Sequence, residues 1–156
     1  MKNKTVKKIL SALLVTVFGY IVINLTYLID FIFQTFLDDA VGLFTKAEVN
    51  LVWHWYPIAK DLLFLLIVAL VSRSVFQSKM KTLYKNIYLT LPLSVIYTTI
   101  NIFFFRWPIA VYLAEAYFFF GFLYVFKRLK LSWLYFYTLY FFSLLILVLN
   151  MMRWQI

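Results

Sequence analysis

The residues that could do chemistry in this sequence are a few charged and amide side chains that interrupt long apolar stretches. They are Asn24, Lys60, Asp61, Asn101, Arg106, Glu115 and Asn150. Such side chains are costly inside a bilayer, so within an apolar segment they mark a binding site, a proton path or a helix contact. Counting along each stretch places all seven toward the outer side of a membrane. We expect them to line one ligand-binding pocket, with Glu115 as its deepest charge.

A second interpretation of these residues is structural. In it, the amides hydrogen-bond neighbouring helices to one another, and Glu115 and Asp61 each pair with Arg106 or Lys60. Under either interpretation Glu115 is expected inside the bundle rather than facing lipid, because an unpaired acid in the apolar region is costly. Both interpretations stay open at the level of sequence.

Catalytic and metal-binding patterns are absent from the sequence. It has no cysteine and one histidine, His54, which excludes disulfides, a cysteine nucleophile and a His-rich metal site. It also lacks the nucleophile-elbow, phosphate-loop and paired-histidine motifs. The acid nearest to His54 in sequence is Glu48, six residues away, so no catalytic dyad is implied. We expect a non-catalytic protein without cofactor or metal.

The composition indicates a membrane protein. Of 156 residues, 65% are hydrophobic and 13% are charged, with a mean hydropathy of +0.91. A soluble domain has about 45–50% apolar and about 25% charged residues. Five mostly apolar stretches approach the roughly 20 residues that a membrane-spanning helix needs. They lie at about 9–29, 57–73, 87–105, 108–126 and 131–152. We expect an all-α integral membrane protein, with residues 1–156 forming one bundle of five transmembrane helices.

The long connection after the first stretch has a helical pattern of its own. Between residues 31 and 44, apolar residues such as Phe33, Phe36 and Leu37 share one helical face, and polar residues fill the other. That pattern predicts an amphipathic, extracytoplasmic helix lying in the membrane interface. The aromatic segment that follows, 53–56, is expected at headgroup level, with the second span starting at Pro57.

Basic residues predict the orientation. Eleven lysines and arginines fall in the N-terminal segment and in the second and fourth connections, against three on the other side, Lys46, Arg106 and Arg153. By the positive-inside rule, the N-terminus is cytoplasmic and the C-terminus extracytoplasmic, in the cell membrane. The net charge of +9 is then expected to contact anionic lipids at the cytoplasmic face rather than nucleic acid, since it is divided among short loops.

Polar residues recur at helical spacing on three of the predicted spans. The stripes are Thr16, Tyr20 and Asn24; Thr90, Ser94, Thr98 and Asn101; and Tyr140, Ser143 and Asn150. We expect these stripes to face a common interior. On the fourth span, the small residues Ala110, Ala114 and Gly121 predict a close helix contact.

Part of this arrangement resembles the translocator or tryptophan-rich sensory protein family. The resemblance rests on five short spans with a long loop after the first, on Leu149-Asn150 with Trp154, and on Asn101 in the third span. The family's W-x-P-P element is reduced here to Trp55-Tyr56-Pro57, and the fifth span lacks the family's Pro-Tyr. The resemblance implies a ligand pocket on the side of the long loop.

Three functions are consistent with these patterns. The first is binding or translocation of an apolar or amphipathic small molecule or lipid through an outer-leaflet polar pocket. The second is an accessory or immunity-type subunit that contacts a partner membrane protein through its helices. The third, an enzyme acting on lipids, would need two converging titratable groups, for which the sequence offers no pattern.

The predicted orientation can be tested with reporter fusions. A reporter fused after Ile156 should be extracytoplasmic, and one inserted near Ser78 should be cytoplasmic, because of the uneven distribution of basic residues. A cytoplasmic reporter after Ile156 would contradict the five-span arrangement.

Overall fold

The computed structural model describes residues 2–45, 56–104 and 106–153, and the side chains within these ranges except at 2–3, 44–45 and 150–153. Over this part of the chain the protein has five α-helices and no strand. The helices are α1 (Lys2–Thr45), α2 (Tyr56–Gln77), α3 (Thr82–Phe103), α4 (Pro108–Arg128) and α5 (Trp133–Arg153). Helices α2 to α5 lie over the segments predicted as the second to fifth spans.

The first helix differs from the sequence prediction. The segment 31–44 is not a separate surface helix; it continues α1 without a break, over 44 residues in all. The physical reason is that nothing in the chain ends the helix near Asp30: all three prolines come later, and Gln34 bonds Asp30 one turn before it. At 1.5 Å per residue, α1 is about 66 Å long, about twice the length of α3.

Helix α3 lies at the centre of the bundle. It contacts each of the other four helices, and its buried residues include apolar and polar side chains on several faces. The main apolar core packs Leu93 and Tyr97 of α3 against Val111 of α4 and Leu139 of α5. Every other helix therefore takes its position from α3.

Two ends of the bundle can be distinguished by their connections. The end that carries the α2–α3 and α4–α5 connections is called the basic end here, because Lys79, Lys81 and Lys130 lie in those connections. The end that carries the tight α3–α4 turn before Pro108 is called the turn end. Beyond Asp30, α1 continues past the turn end with the first turns of α2 packed beside it.

Three of the helices are long and apolar enough to cross a membrane. They are α1, over Lys4–Leu43, and the whole of α3 and α4; a shorter apolar segment of α5 covers Trp133–Leu149. Large apolar side chains stay exposed on the outer faces of the bundle, for example Leu13, Leu70 and Leu113. Soluble monomers rarely expose apolar surface so extensively.

The inward face of α1 is mainly apolar, with Thr26 as its buried polar residue. Val15, Gly19 and Ile23 are buried, whereas Tyr20 and Asn24 of the predicted polar stripe are exposed. Asn24 does not need an interhelical partner, because its amide donates to the carbonyl of Tyr20 on the same helix, at 2.8 Å. The prediction that this stripe faces the interior is wrong for Tyr20 and Asn24; Thr16 is half-buried, and its hydroxyl lies 2.7 Å from that of Tyr137 on α5.

The closest helix approach in the bundle occurs at Gly19. A Cβ atom added there would collide with the ring of Phe142 and would lie 2.8 Å from Cγ2 of Thr90. Gly121, by contrast, has nothing within 4 Å of such an atom, so the close contact predicted for the small-residue face of α4 does not form there. The glycine that lets helices approach is on α1, where α3 and α5 meet it.

This contrast predicts how glycine substitutions change stability. Gly19→Ala should lower the free energy of unfolding by about 1–3 kcal/mol, because Phe142 is fully buried and cannot give way. The control is Gly42→Ala, at a second open position of α1, which should raise stability by up to about 1 kcal/mol through helix propensity. Unfolding in detergent, followed by circular dichroism, measures both; equal stabilities would contradict the packing described.

Candidate functional site

The polar groups of the interior form a seam along α3. The Oδ1 atom of Asn86 accepts a hydrogen bond from Thr138 of α5 at 3.2 Å, and the hydroxyl groups of Tyr97 and Ser143 lie 2.7 Å apart. The Thr90 hydroxyl donates to its own helix at Ile87, 2.8 Å away, and lies 3.5 Å from the carbonyl oxygen of Gly19. The bonds of Asn86 and Tyr97 tie α3 to α5, and the short distance between Thr90 and Gly19 shows how near α1 lies to α3.

Glu115 ends this seam near the turn end. Its side chain is 5% exposed, and Oε1 accepts a hydrogen bond from the Asn101 amide at 3.2 Å. The same amide donates to the carbonyl of Tyr97 at 2.9 Å. The expectation that Glu115 lies inside the bundle is confirmed.

The predicted pairing of Glu115 with Arg106 or Lys60 is not observed. Among the described residues, Glu115 forms no ion pair with Arg106 or Lys60. Arg106 is exposed in the turn between α3 and α4, where its guanidinium keeps its hydration, and Lys60 pairs with Asp38 of α1. Bringing the Arg106 guanidinium into the interior would cost its hydration. The neutral amide of Asn101, on α3, bonds the Glu115 carboxylate instead.

A cavity of about 320 Å³ opens beside Glu115, between α4 and α5. The hydroxyl pair of Tyr97 and Ser143 lines it together with Glu115. Its remaining lining is mainly aromatic and aliphatic, and includes Tyr112, Ala116, Phe119, Phe120, Tyr140, Leu144 and Leu147. The ring of Phe119 packs edge-on against that of Tyr140, with centroids 5.2 Å apart. The cavity is thus lined by one carboxylate and four hydroxyl-bearing side chains among apolar ones, a composition typical of ligand sites.

Lys60 and Asp61 belong to a different cluster, where α2 packs on the extension of α1. The Lys60 ammonium lies 2.8 and 2.9 Å from the two carboxylate oxygens of Asp38 and 5.0 Å from the centroid of the Tyr56 ring. The Gln34 amide donates to Asp61 at 2.9 Å. This cluster joins two helices by charge and hydrogen bonds, and none of its residues lines the Glu115 cavity.

The seven predicted site residues therefore do not form one pocket. Asn101 and Glu115 come together, Lys60 and Asp61 lie in the α1–α2 cluster, and Asn24 and Arg106 are exposed. The side chain of Asn150 lies outside the described residues, as do Trp53, His54 and Trp55.

Two residues of the cavity were missed by the sequence interpretation. Tyr97 was not placed in the α3 stripe, although Thr90, Ser94, Tyr97 and Asn101 recur at helical spacing and all but Asn101 are buried. Tyr112 was not considered; it stands three residues before Glu115, and so on the same face of α4. The helical spacing itself was the available signal for both residues.

No known protein family, curated protein or solved structure matches the chain. Within the described residues, no three His, Cys, Asp or Glu side chains are placed to hold a metal ion. The resemblance to the translocator family rests on the quoted residues alone. Of those, Asn101 bonds Glu115, whereas Trp154 is outside the described part of the chain.

The α1–α2 ion pair makes a prediction about stability. The Lys60 side chain is 11% exposed and that of Asp38 is 43% exposed, so solvent screens the pair only in part. A double-mutant cycle with Asp38→Asn and Lys60→Gln should give a coupling free energy of about 1 kcal/mol, at the upper end for partly exposed pairs. The control is Asp39→Asn, which removes an exposed neighbouring carboxylate and should show no coupling to Lys60→Gln. Additive effects of Asp38→Asn and Lys60→Gln would contradict the pairing.

Proposed function

We propose that the protein is a multi-pass protein of the cell membrane whose five helices all cross the bilayer, with a cytoplasmic N-terminus. The length and apolar character of α1, α3 and α4 support this proposal, as does the apolar outer surface of the bundle. Helix α2 fits because its charges lie near its ends, with Lys60 and Asp61 on one side of an apolar stretch and Arg73 on the other. In this orientation the turn end is extracytoplasmic and the basic end cytoplasmic.

We propose that the protein binds, or passes on, an amphipathic molecule with a cationic head group, taken from the outer leaflet into the Glu115 cavity. The observation that carries this proposal is a buried carboxylate that lines a cavity between α4 and α5. Burying a carboxylate in an apolar cavity wall costs free energy, and acidic residues in membrane segments are typically functional.

The chemistry of the walls favours a cationic head group. A cation entering the cavity would meet the Glu115 carboxylate while the Asn101 amide holds one carboxylate oxygen in place. The ring faces of Tyr112, Phe119 and Tyr140 attract positive charge as well. The apolar tail would lie against the aliphatic side of the cavity, at Leu144 and Leu147.

The depth of the site is consistent with entry from the outer leaflet. Glu115 is seven residues after Pro108, so it lies about 10 Å below the turn end at 1.5 Å per residue. A molecule with its head group near the interface reaches this level without crossing the bilayer centre.

The proposal can be tested with two probes that differ only in the head group, dodecylamine and dodecanol. In non-ionic detergent, dodecylamine should raise the unfolding midpoint of the wild type more than dodecanol does. Glu115→Gln should weaken dodecylamine binding at least about tenfold, because it removes the charge that faces the buried cation. The shift is measured from the midpoint of each protein without probe, and the glutamine oxygen can still accept the Asn101 hydrogen bond.

The matched control is Asp39→Asn, which removes one exposed carboxylate far from the cavity and should leave binding unchanged. Equal dodecylamine binding by Glu115→Gln and the wild type would contradict the proposal. So would dodecanol stabilising the wild type as strongly as dodecylamine.

A second candidate function, an accessory subunit of another membrane protein, is favoured by one observation on α1. Beyond Asp30, the side of α1 turned away from α2 exposes large apolar side chains, among them Ile32, Phe36 and Leu43. In this function the extension of α1 contacts the partner, and the Glu115 cavity has no ligand. Neither probe should then shift the unfolding midpoint, so the same experiment separates the two functions.

A further inference from the structure

A second and larger groove lies at the basic end of the bundle. Its volume is about 670 Å³, and it is bounded by the end of α2, the start of α3, the second half of α4 and the start of α5. Its walls are mainly apolar and aromatic, with Leu89, Phe118, Phe122 and Phe126 among them. It shares no lining residue with the Glu115 cavity.

The charged residue in the lining of this groove is basic. Lys85 is half-buried, and its ammonium donates to the carbonyl oxygens of Phe76 and Ser78, each at 2.7 Å. An ammonium has three donors, so one remains after these two bonds. No acidic side chain lines the groove among the described residues.

Further cations adjoin lining residues of the groove in sequence, in the connection from α4 to α5. Leu129 and Leu131 both line the groove, and Lys130, which does not line it, stands between them in the chain. Lys127 and Arg128, in the last turn of α4, are exposed beside it. A molecule with an apolar tail in the groove would therefore have its polar end among positive charges.

Lys130 has an unusual backbone conformation for a lysine. Its φ of 50° is left-handed, and it is the sole non-glycine residue with positive φ in the described part of the chain. It closes α4 in a Schellman motif: its own N–H bonds the carbonyl of Lys127, and the N–H of Leu131 bonds that of Phe126, both at 3.1 Å. Glycine is the residue that normally occupies this position, because a Cβ atom is disfavoured there. The backbone alone therefore does not account for a lysine at position 130.

We propose that this groove binds one anionic phospholipid of the cytoplasmic leaflet, with an acyl chain along the apolar walls and the phosphate near Lys85 and Lys130. The proposal rests on the membrane orientation proposed above but not on the Glu115 cavity. The occupant follows from charge complementarity: the groove is mainly apolar, its charged lining residue is Lys85, and Lys130 adjoins two lining residues at the end where the anionic head groups of that leaflet would lie. Its volume falls within the range of about 300–1,000 Å³ that is usual for ligand sites.

Two glycine positions test the apolar part of the site. A side chain at Gly121 would project into the groove without colliding with the protein, since nothing lies within 4 Å of its Cβ position. Gly121→Leu should therefore fill the groove while the protein stays folded. Gly42→Leu is the matched control, because Gly42 also has nothing within 4 Å of its Cβ position, lies in a helix and does not line the groove.

The measurement is the affinity of each purified variant for dioleoyl-phosphatidylglycerol and for dioleoyl-phosphatidylcholine in mixed micelles. The wild type and Gly42→Leu should prefer phosphatidylglycerol at least about fivefold, and Gly121→Leu should lose at least about tenfold in affinity for it. Unchanged affinity in Gly121→Leu would overturn the proposal. If the wild type bound both lipids equally, the proposed preference for an anionic head group would be overturned.

Lys130→Gly tests whether positive charge contributes to lipid binding, and it should not destabilise the protein. Glycine suits the left-handed position better than lysine, so the unfolding midpoint should be equal to or higher than that of the wild type. Affinity for phosphatidylglycerol should nevertheless fall about threefold to tenfold, while affinity for phosphatidylcholine stays the same. Lys4→Gln, which removes one charge from the start of α1, should change neither affinity.

If Lys130→Gly kept its preference for phosphatidylglycerol, Lys130 would have no role in binding. The proposed position of the phosphate would then be overturned. Failure of this proposal and failure of the proposed function are distinguishable. Glu115→Gln should leave phosphatidylglycerol binding unchanged, and Gly121→Leu should leave dodecylamine binding unchanged, because the two cavities share no residue.

Discussion

The constraint on which the rest of the structure depends is that α3 carries polar side chains into the centre of a largely apolar bundle. Asn86, Thr90 and Ser94 are each at most 1% exposed, so water cannot satisfy them. Their partners must come from carbonyl groups one turn away or from facing helices, and an unsatisfied group would cost several kcal/mol in hydrocarbon (about 2–7 kcal/mol by transfer). Carbonyl groups within α3 accept from all three side chains. The bonds of Asn86 and Tyr97 to α5, and of Asn101 to α4, then join three helices at fixed positions.

The same bundle is tightly packed on one side of α3 and open on the other. At Gly19 the backbone of α1 comes so near to α3 and α5 that no side chain fits. Helix α4 packs less closely, and both the Glu115 cavity and the groove at Gly121 lie along it. This asymmetry explains why the candidate ligand sites involve α4 and α5, while α1 and α2 are joined by an ion pair and by hydrogen bonds. It also explains why helix α4, with few buried residues, can carry a buried acid.

Much of this architecture could be predicted from the sequence, and the failures have physical causes. Apolar length located helices α2 to α5, and the cost of an acid in lipid placed Glu115 inside the bundle. The break predicted in α1 near Asp30 was wrong because polar residues there were taken as a surface pattern, whereas Gln34 and Asp38 bond to α2. The pairing of Glu115 with Arg106 or Lys60 was wrong because charge was matched with charge, whereas the amide of Asn101 on the adjacent helix reaches the carboxylate.

Which residues face the interior proved hardest to predict. A polar stripe indicates a shared face only if its members need partners from other helices, and Asn24 bonds its own helix instead. A glycine permits close approach without specifying it, so Gly19 and Gly121 cannot be told apart until the neighbouring helices are placed. Lys130 carries no signal in the sequence, because its significance lies in the backbone conformation.

The central claim is that α3 lies against its neighbours at the positions of these polar pairs. Because the chain has no cysteine, pairs of introduced cysteines can be cross-linked in native membranes without background. The most direct measurement combines Asn101→Cys with Glu115→Cys and compares it with a pair of exposed sites, Asn24→Cys with Tyr140→Cys. The account predicts that a short thiol cross-linker joins the first pair within one chain and leaves the second pair unjoined. An unreactive first pair, or equal cross-linking of both pairs, would contradict it.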